Sequence, residues 1–275
     1  MAYRSSITII LLSSMIFLDS CKDKAKESNA HFIKGNDYIF NDDFTNAKKE
    51  YELAVKIDSD NWKACYSLAG VYEMEGDISN SLYYFSKTLS INPNFALCYF
   101  NRSNLEDLIG DSRASMKDLN KTIQLKNGFF LALLIKGEKE YAAGRFKEAT
   151  RDFDDAINVR SDFYLTFSMR GACKLRTGDN EGAIKDFTTE ISLKPEHMMS
   201  YVNRAVAYAA QKNYRTAIND INTALQMDPT WSQAYIYRGD YEYNLNSKDS
   251  ACNDFTTASK LKNPEAENYL KQYCK

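Results

Sequence analysis

Apolar and polar positions in this chain repeat every 34 residues, seven times without a slip, from Ser28 to Glu265. One series of equivalent positions is always small: Gly35, Ala69, Ser103, Gly137, Gly171, Ala205 and Gly239. A second is small as well, running Ala47, Ser81, Ser115, Ala149, Ala183, Ala217 and Ala251. Each period reads as two helical stretches with a break between them. In the fifth, Tyr164 to Arg176 is the first stretch, Gly178-Asp179 the break, and Glu181 to Leu193 the second, stopped by Pro195. Glycine ends a helix cheaply because it accepts a left-handed backbone. The same break recurs at Gly76, Gly110 and Gly144, and Lys212-Asn213 and Asn246-Ser247 read as breaks where asparagine replaces it. One helix pair cannot bury its apolar face alone, so a period of this length predicts stacked pairs sharing a continuous core.

The small slots let two antiparallel helices approach, and a large residue fills the space beside them: Tyr51, Phe85, Leu119, Phe153, Phe187, Ile221 and Phe255. A further apolar series, Ile57, Ile91, Leu125, Val159, Leu193, Met227 and Leu261, is expected to pack toward the next pair. A basic residue just before the first small slot is matched by an acid sixteen residues on. These are Lys34 with Glu50, Arg102 with Asp118, Lys136 with Asp152, Arg170 with Asp186, Arg204 with Asp220 and Arg238 with Asp254. The second period loses both partners together, to Leu68 and Tyr84. Loss in concert implies that the two slots touch, as structural ion pairs that set register.

The order small, aromatic, small, aromatic, alanine, proline resembles the tetratricopeptide repeat, with Tyr99, Phe167, Tyr201 and Tyr235 standing where that family usually has tryptophan. The resemblance implies an all-α fold: a right-handed α-solenoid of seven helix–turn–helix repeats, 28–61, 62–95, 96–129, 130–163, 164–197, 198–231 and 232–265, closed by a capping helix over 266–275. In such arrays the first helices line a concave groove. By that analogy the groove residues are Phe32, Ile39, Tyr66, Phe100, Asn104, Leu134, Tyr141, Leu165, Val202, Ile236 and Tyr243, with scattered acids at Glu73, Asp107, Glu138 and Asp240. An apolar lining of this kind suits a protein or peptide segment with apolar anchors. The family's clamp for C-terminal carboxylates needs a leading lysine, and the corresponding slots hold Phe32, Tyr66 and Phe100.

Composition narrows the chemistry. The net charge of −2 lacks the footprint of a nucleic-acid binder. There is no glycine-rich phosphate loop, metal-spaced Cys or His pair, or nucleophile elbow. No catalytic residue, metal or cofactor is therefore assigned, and His31 and His197, at unrelated repeat slots, read as helix-end or packing residues. Cys65, Cys98 and Cys173 read as small core residues. Cys252, on the last second helix, and Cys274, in the capping helix, form a candidate disulfide.

Residues 1–20 carry early positive charge and an apolar run from Ile7 to Leu18, too short to span a bilayer. They read as a signal peptide. Leu18-Asp19-Ser20-Cys21 resembles a bacterial lipoprotein box, although Asp19 departs from it. This implies lipid attachment at Cys21, a charged tether over 21–27, and a membrane-anchored address on the cell envelope, at the outer membrane. The expected function is a non-enzymatic scaffold that holds a protein partner in the groove. The competing expectation is a glycan- or nutrient-capture lipoprotein beside a transporter, since tyrosine-rich surfaces stack on sugars.

Overall fold

The computed structural model describes residues 23–274, which form fifteen helices and no strand. They divide into two compact units. The first holds α1 (23–40), α2 (Phe44–Ile57), α3 (Trp62–Met74), α4 (Ile78–Ile91), α5 (Ala96–Leu108) and α6 (Ser112–Leu125). The second begins at Gly128 and holds α7 (Phe130–Ala142), α8 (Phe146–Val159), α9 (Tyr164–Thr177), α10 (Asn180–Leu193), α11 (Met198–Ala210), α12 (Tyr214–Met227), α13 (Ser232–Asn244), α14 (Lys248–Lys260) and α15 (Ala266–Tyr273). The leader and Cys21 lie outside the described residues. Residues 23–27, read from sequence as tether, already belong to α1, and a helix advances only ~1.5 Å per residue.

The turn inside each repeat is built by two adjacent residues. The first takes a left-handed backbone: Gly76, Gly110, Gly144 and Gly178, and also Asp42, Lys212 and Asn246. In the sixth repeat the left-handed residue is thus Lys212, while Asn213 stands at the helix N-cap. The second residue opens the following helix. Asp43, Asp77, Asp111 and Asp179 each accept a hydrogen bond from the backbone N–H three residues ahead, satisfying an otherwise orphaned donor.

Each pair closes on its small slot. A Cβ on Gly137, Gly171 or Gly239 would come within 2.7, 2.8 and 2.6 Å of the rings of Phe153, Phe187 and Phe255, too near for any side chain. Those rings are fully buried, as are Tyr51, Phe85, Leu119 and Ile221 at the same slot. The series ending the second helices behaves differently from expectation. Val159, Leu193, Met227 and Leu261 are exposed, whereas Ile57, Ile91 and Leu125 are half-buried. The core between repeats comes instead from first-helix residues such as Leu68, Val71, Cys98, Cys173 and Ala207. Burial pushes the Cys65, Cys98 and Cys173 thiols up to about 11, 12 and 11, which keeps them protonated and inert.

All six basic–acid pairs form. Lys34 Nζ donates to Glu50 at 2.6 Å, and the Arg102, Arg170, Arg204 and Arg238 guanidiniums each grip both oxygens of their aspartate. Lys136 bonds Asp152. In the second repeat Leu68 and Tyr84 meet in one apolar cluster instead. The aromatic three residues before each arginine lies against its guanidinium, at 5.7 Å for Tyr99, 5.6 Å for Phe167, 5.8 Å for Tyr201 and 5.4 Å for Tyr235.

At the end of the second unit the period continues beyond the seventh repeat. In α15, Tyr269 occupies the slot of Tyr235, and Tyr273 occupies the slot of Gly239. Tyr273 lies 4.4 Å from Tyr243, centroid to centroid, and Tyr269 lies 5.0 Å from Phe255. A disulfide between Cys252 and Cys274, with Cα atoms 5.7 Å apart, ties α15 to α14.

Candidate functional site

In the second unit the first helices α7, α9 and α11 lie beside one another. Each presents an exposed apolar side chain at one equivalent slot: Leu131 at 48%, Leu165 at 38% and Met199 at 38% exposure. Residues seven and eleven further along a helix share its face, which adds Glu138 and Ala142 on α7, Ala172 and Arg176 on α9, and Val206 and Ala210 on α11. In the first unit Leu97 on α5 occupies the same slot and is exposed, as is Asn104 one face-length on.

The groove residues expected from sequence separate into three groups. Leu165, Tyr243 and Asn104 are open to solvent. Phe32, Ile39, Tyr66, Leu134 and Tyr141 are half-buried. The Tyr66 ring packs 5.7 Å from Phe85 and 4.8 Å from Phe95, and its hydroxyl accepts from Asn101 at 2.9 Å. Tyr141 lies edge-on to Phe146. Phe100, Val202 and Ile236 do not line a surface: they are 8, 3 and 1% exposed. Their slot points between helices. Ile236 packs on Phe255 of its own repeat and Ala266 of the next element, and Val202 packs among Ile221, Ala224 and Ala234. Leu97 and Leu131 went unassigned in sequence, although a step of 34 from Leu165 reaches both.

The face carries acids and, on α9, the cation Arg176. Glu138 on α7 and Asp240 on α13 make no ion pair or side-chain hydrogen bond among the described residues, and burial raises both carboxyls above their ordinary values. Glu73 on α3, in the first unit, is raised for the same reason. Most other cations of these first helices turn the other way. Lys136, Arg170, Lys174, Arg204 and Arg238 are all held by second-helix carboxylates. Arg176 lies over the Phe146 ring, 4.8 Å from its centroid.

Elsewhere among the described residues, His197, Glu190 and Ser200 form a constellation resembling a catalytic arrangement. Nδ1 of His197 faces both Glu190 Oε1 and Ser200 Oγ at 2.9 Å. A relay needs the two ring nitrogens to face different partners; here one nitrogen faces both, and the contacts join α10 to the start of α11. Glu190 is fully buried in a slot where other repeats carry alanine or threonine. His31 Nδ1 likewise meets Glu50, at 2.6 Å. Among the described residues no cluster of three His, Cys, Asp or Glu is placed to hold a metal ion, and no helix is long and apolar enough to cross a membrane.

Models of the tetratricopeptide repeat match residues 28–61 and 169–230. No curated protein matches the chain in sequence. Among solved structures, the C-terminal part of a repeat-containing protein from Cytophaga hutchinsonii is similar at a TM-score of 0.70 and 15% identity, covering 87% of this chain and 99% of that one. A tetratricopeptide repeat protein from Parabacteroides merdae is similar at 0.57 and 18% identity, covering 91% and 100%. YrrB, described as a tetratricopeptide protein with an unusual peptide-binding site, is similar at 0.61 and 17% identity, covering 67% and 95%. Likeness at these identities speaks for the fold.

Proposed function

Because the chain is a tetratricopeptide repeat protein, we propose that it works as a non-enzymatic scaffold that holds a segment of a partner protein on the open faces of its first helices. The observation that carries this reading is the row Leu131, Leu165 and Met199, one exposed apolar side chain per repeat on neighbouring helices. Singly such residues need no explanation, but a row in one slot forms a continuous apolar strip. The peptide-binding site named for YrrB, on the same fold, agrees with it. The Leu18-Asp19-Ser20-Cys21 motif supports a bacterial lipoprotein anchored at Cys21 on the cell envelope. The competing glycan-capture reading needs flat exposed rings, whereas Tyr66 and Tyr141 are packed against Phe95 and Phe146.

The test is capture by the wild type and by a Leu131→Ser/Leu165→Ser/Met199→Ser variant. A partner retained by the first and lost by the second, at equal helicity, supports the scaffold. Equal retention moves the site off this face. Labelling with a radioactive fatty acid, lost on Cys21→Ala, tests the anchor separately.

A further inference from the structure

The apolar strip of the second unit is bracketed by carboxylates that make no ion pair among the described residues. Along one slot of the first helices the residues read Glu138, Ala172, Val206 and Asp240: an acid at each end and apolar residues between. Neither acid has a cation among the described residues, and both are partly desolvated by the helix surface. The helices are not short of basic residues. Lys136, Arg170, Arg204 and Arg238 stand on them, but all are turned to the second helices and held there. Arg176, on the same face of α9, lies over the Phe146 ring and not against either acid; the two acids are thereby left without an ion pair among the described residues, and a bound partner is the natural source of one.

Resting on the scaffold reading, we propose that this face receives a segment whose apolar stretch is flanked by lysine or arginine side chains, one reaching Glu138 and the other Asp240. The apolar stretch lies along Leu131, Leu165 and Met199. The two ion pairs set direction and register, since a segment shifted by one repeat would bring a cation against Ala172 or Val206 and leave an acid unpaired. This is the reverse of recognition by a basic clamp, which would select an acidic tail.

The experiment uses the full chain and three fluorescein-labelled, end-blocked peptides sharing one Leu/Ser core and ending at both sides in Lys pairs, Gln pairs or Glu pairs. The Lys peptide should bind about tenfold or more tighter than the Gln peptide at low salt, with the Glu peptide weakest and the advantage shrinking as salt rises. Glu138→Gln/Asp240→Asn should bring the Lys peptide down to the Gln peptide while the Gln peptide is unchanged. Those two side chains support no other group, so the variant should fold as the parent does. Equal binding of Lys and Gln peptides overturns the proposal and leaves the scaffold reading intact. A Lys preference undiminished in the double variant also overturns it. Failure of all three peptides to bind removes the scaffold reading with it. Light scattering on the same samples checks self-occupancy: a dimer dissolved by Leu165→Ser would assign the face to a second copy and overturn the proposal.

Discussion

Arg170 holds Asp186, sixteen residues ahead, through Nε at 2.9 Å, and Asp154, sixteen residues behind, through Nη1 at 2.6 Å. The same reach in both directions recurs at Arg102 with Asp118 and Ser86, at Arg204 with Asp220 and Thr188, and at Arg238 with Asp254 and Asn222. Each arginine on a first helix therefore fastens the second helix of its own repeat to that of the repeat before. The sixteen-residue pairing was visible in sequence in one direction only, because the backward partners are chemically mixed.

Replacing Arg204 with leucine leaves Asp220 buried without its cation. The expected loss is about 3–5 kcal/mol in urea unfolding. Adding Asp220→Tyr rebuilds the arrangement that Leu68 and Tyr84 adopt in the second repeat and should recover more than half of it. A double variant no more stable than the single one would show that the two arrangements are not interchangeable.

Gly171→Ala places a methyl 2.8 Å from the Phe187 ring and should cost about 1–3 kcal/mol. In the sixth repeat the same slots hold Ala205 and Ile221, both buried. Gly171→Ala combined with Phe187→Ile should therefore be more stable than either single change, a non-additivity readable from urea midpoints.

Glu106 gives the array a pH dependence. Its carboxyl is raised to about 7, first by burial and then by the negative charge of Asp118, with the nearby Arg102 opposing. Its Oε2 is buried without a partner. Between the ordinary value of 4.5 and about 7 the folded chain holds a proton that the unfolded chain has released. The stability this contributes is fully present below the lower value and is lost as pH rises through the upper one. Glu106→Gln should thus be about 1–2 kcal/mol more stable than the parent near pH 8, a figure already reduced for solvent screening, with the gain vanishing toward pH 4.5. A gain independent of pH would remove the titration as its cause.

With Cys21 replaced by alanine, the denatured, unreduced protein should show three thiols, Cys65, Cys98 and Cys173, and five after reduction. The bridge spans a sequence separation of 22, so reduction should cost about 3 kcal/mol, appearing as faster hydrogen exchange in α15. Five thiols before reduction would mean that α15 is held by packing alone.

The helix pairs, the small slots with their large partners, and the six forward ion pairs were all legible in the sequence, because each repeats at a fixed interval and the copies check one another. Orientation was harder to read. A period says that Phe100, Leu134, Val202 and Ile236 are equivalent, but not that the slot points between helices, and three of the four are core. The bracketing acids were visible as residues. Their lack of partners was not, since it depends on where five distant cations turn. Glu190 was missed because it departs from its slot in one repeat only.

The glycine slots and arginine fasteners occupy one side of each first helix, and Leu131, Leu165 and Met199 occupy another. Heritable change is thereby sorted into two kinds. Substitution at residue 170 or 171 acts on whether the protein stands, and substitution at residue 131, 165 or 199 acts on the exposed strip proposed to hold the partner. Under the proposed scaffold role, a lineage of such chains would exchange one cargo for another through a few side chains while its architecture stays under separate selection.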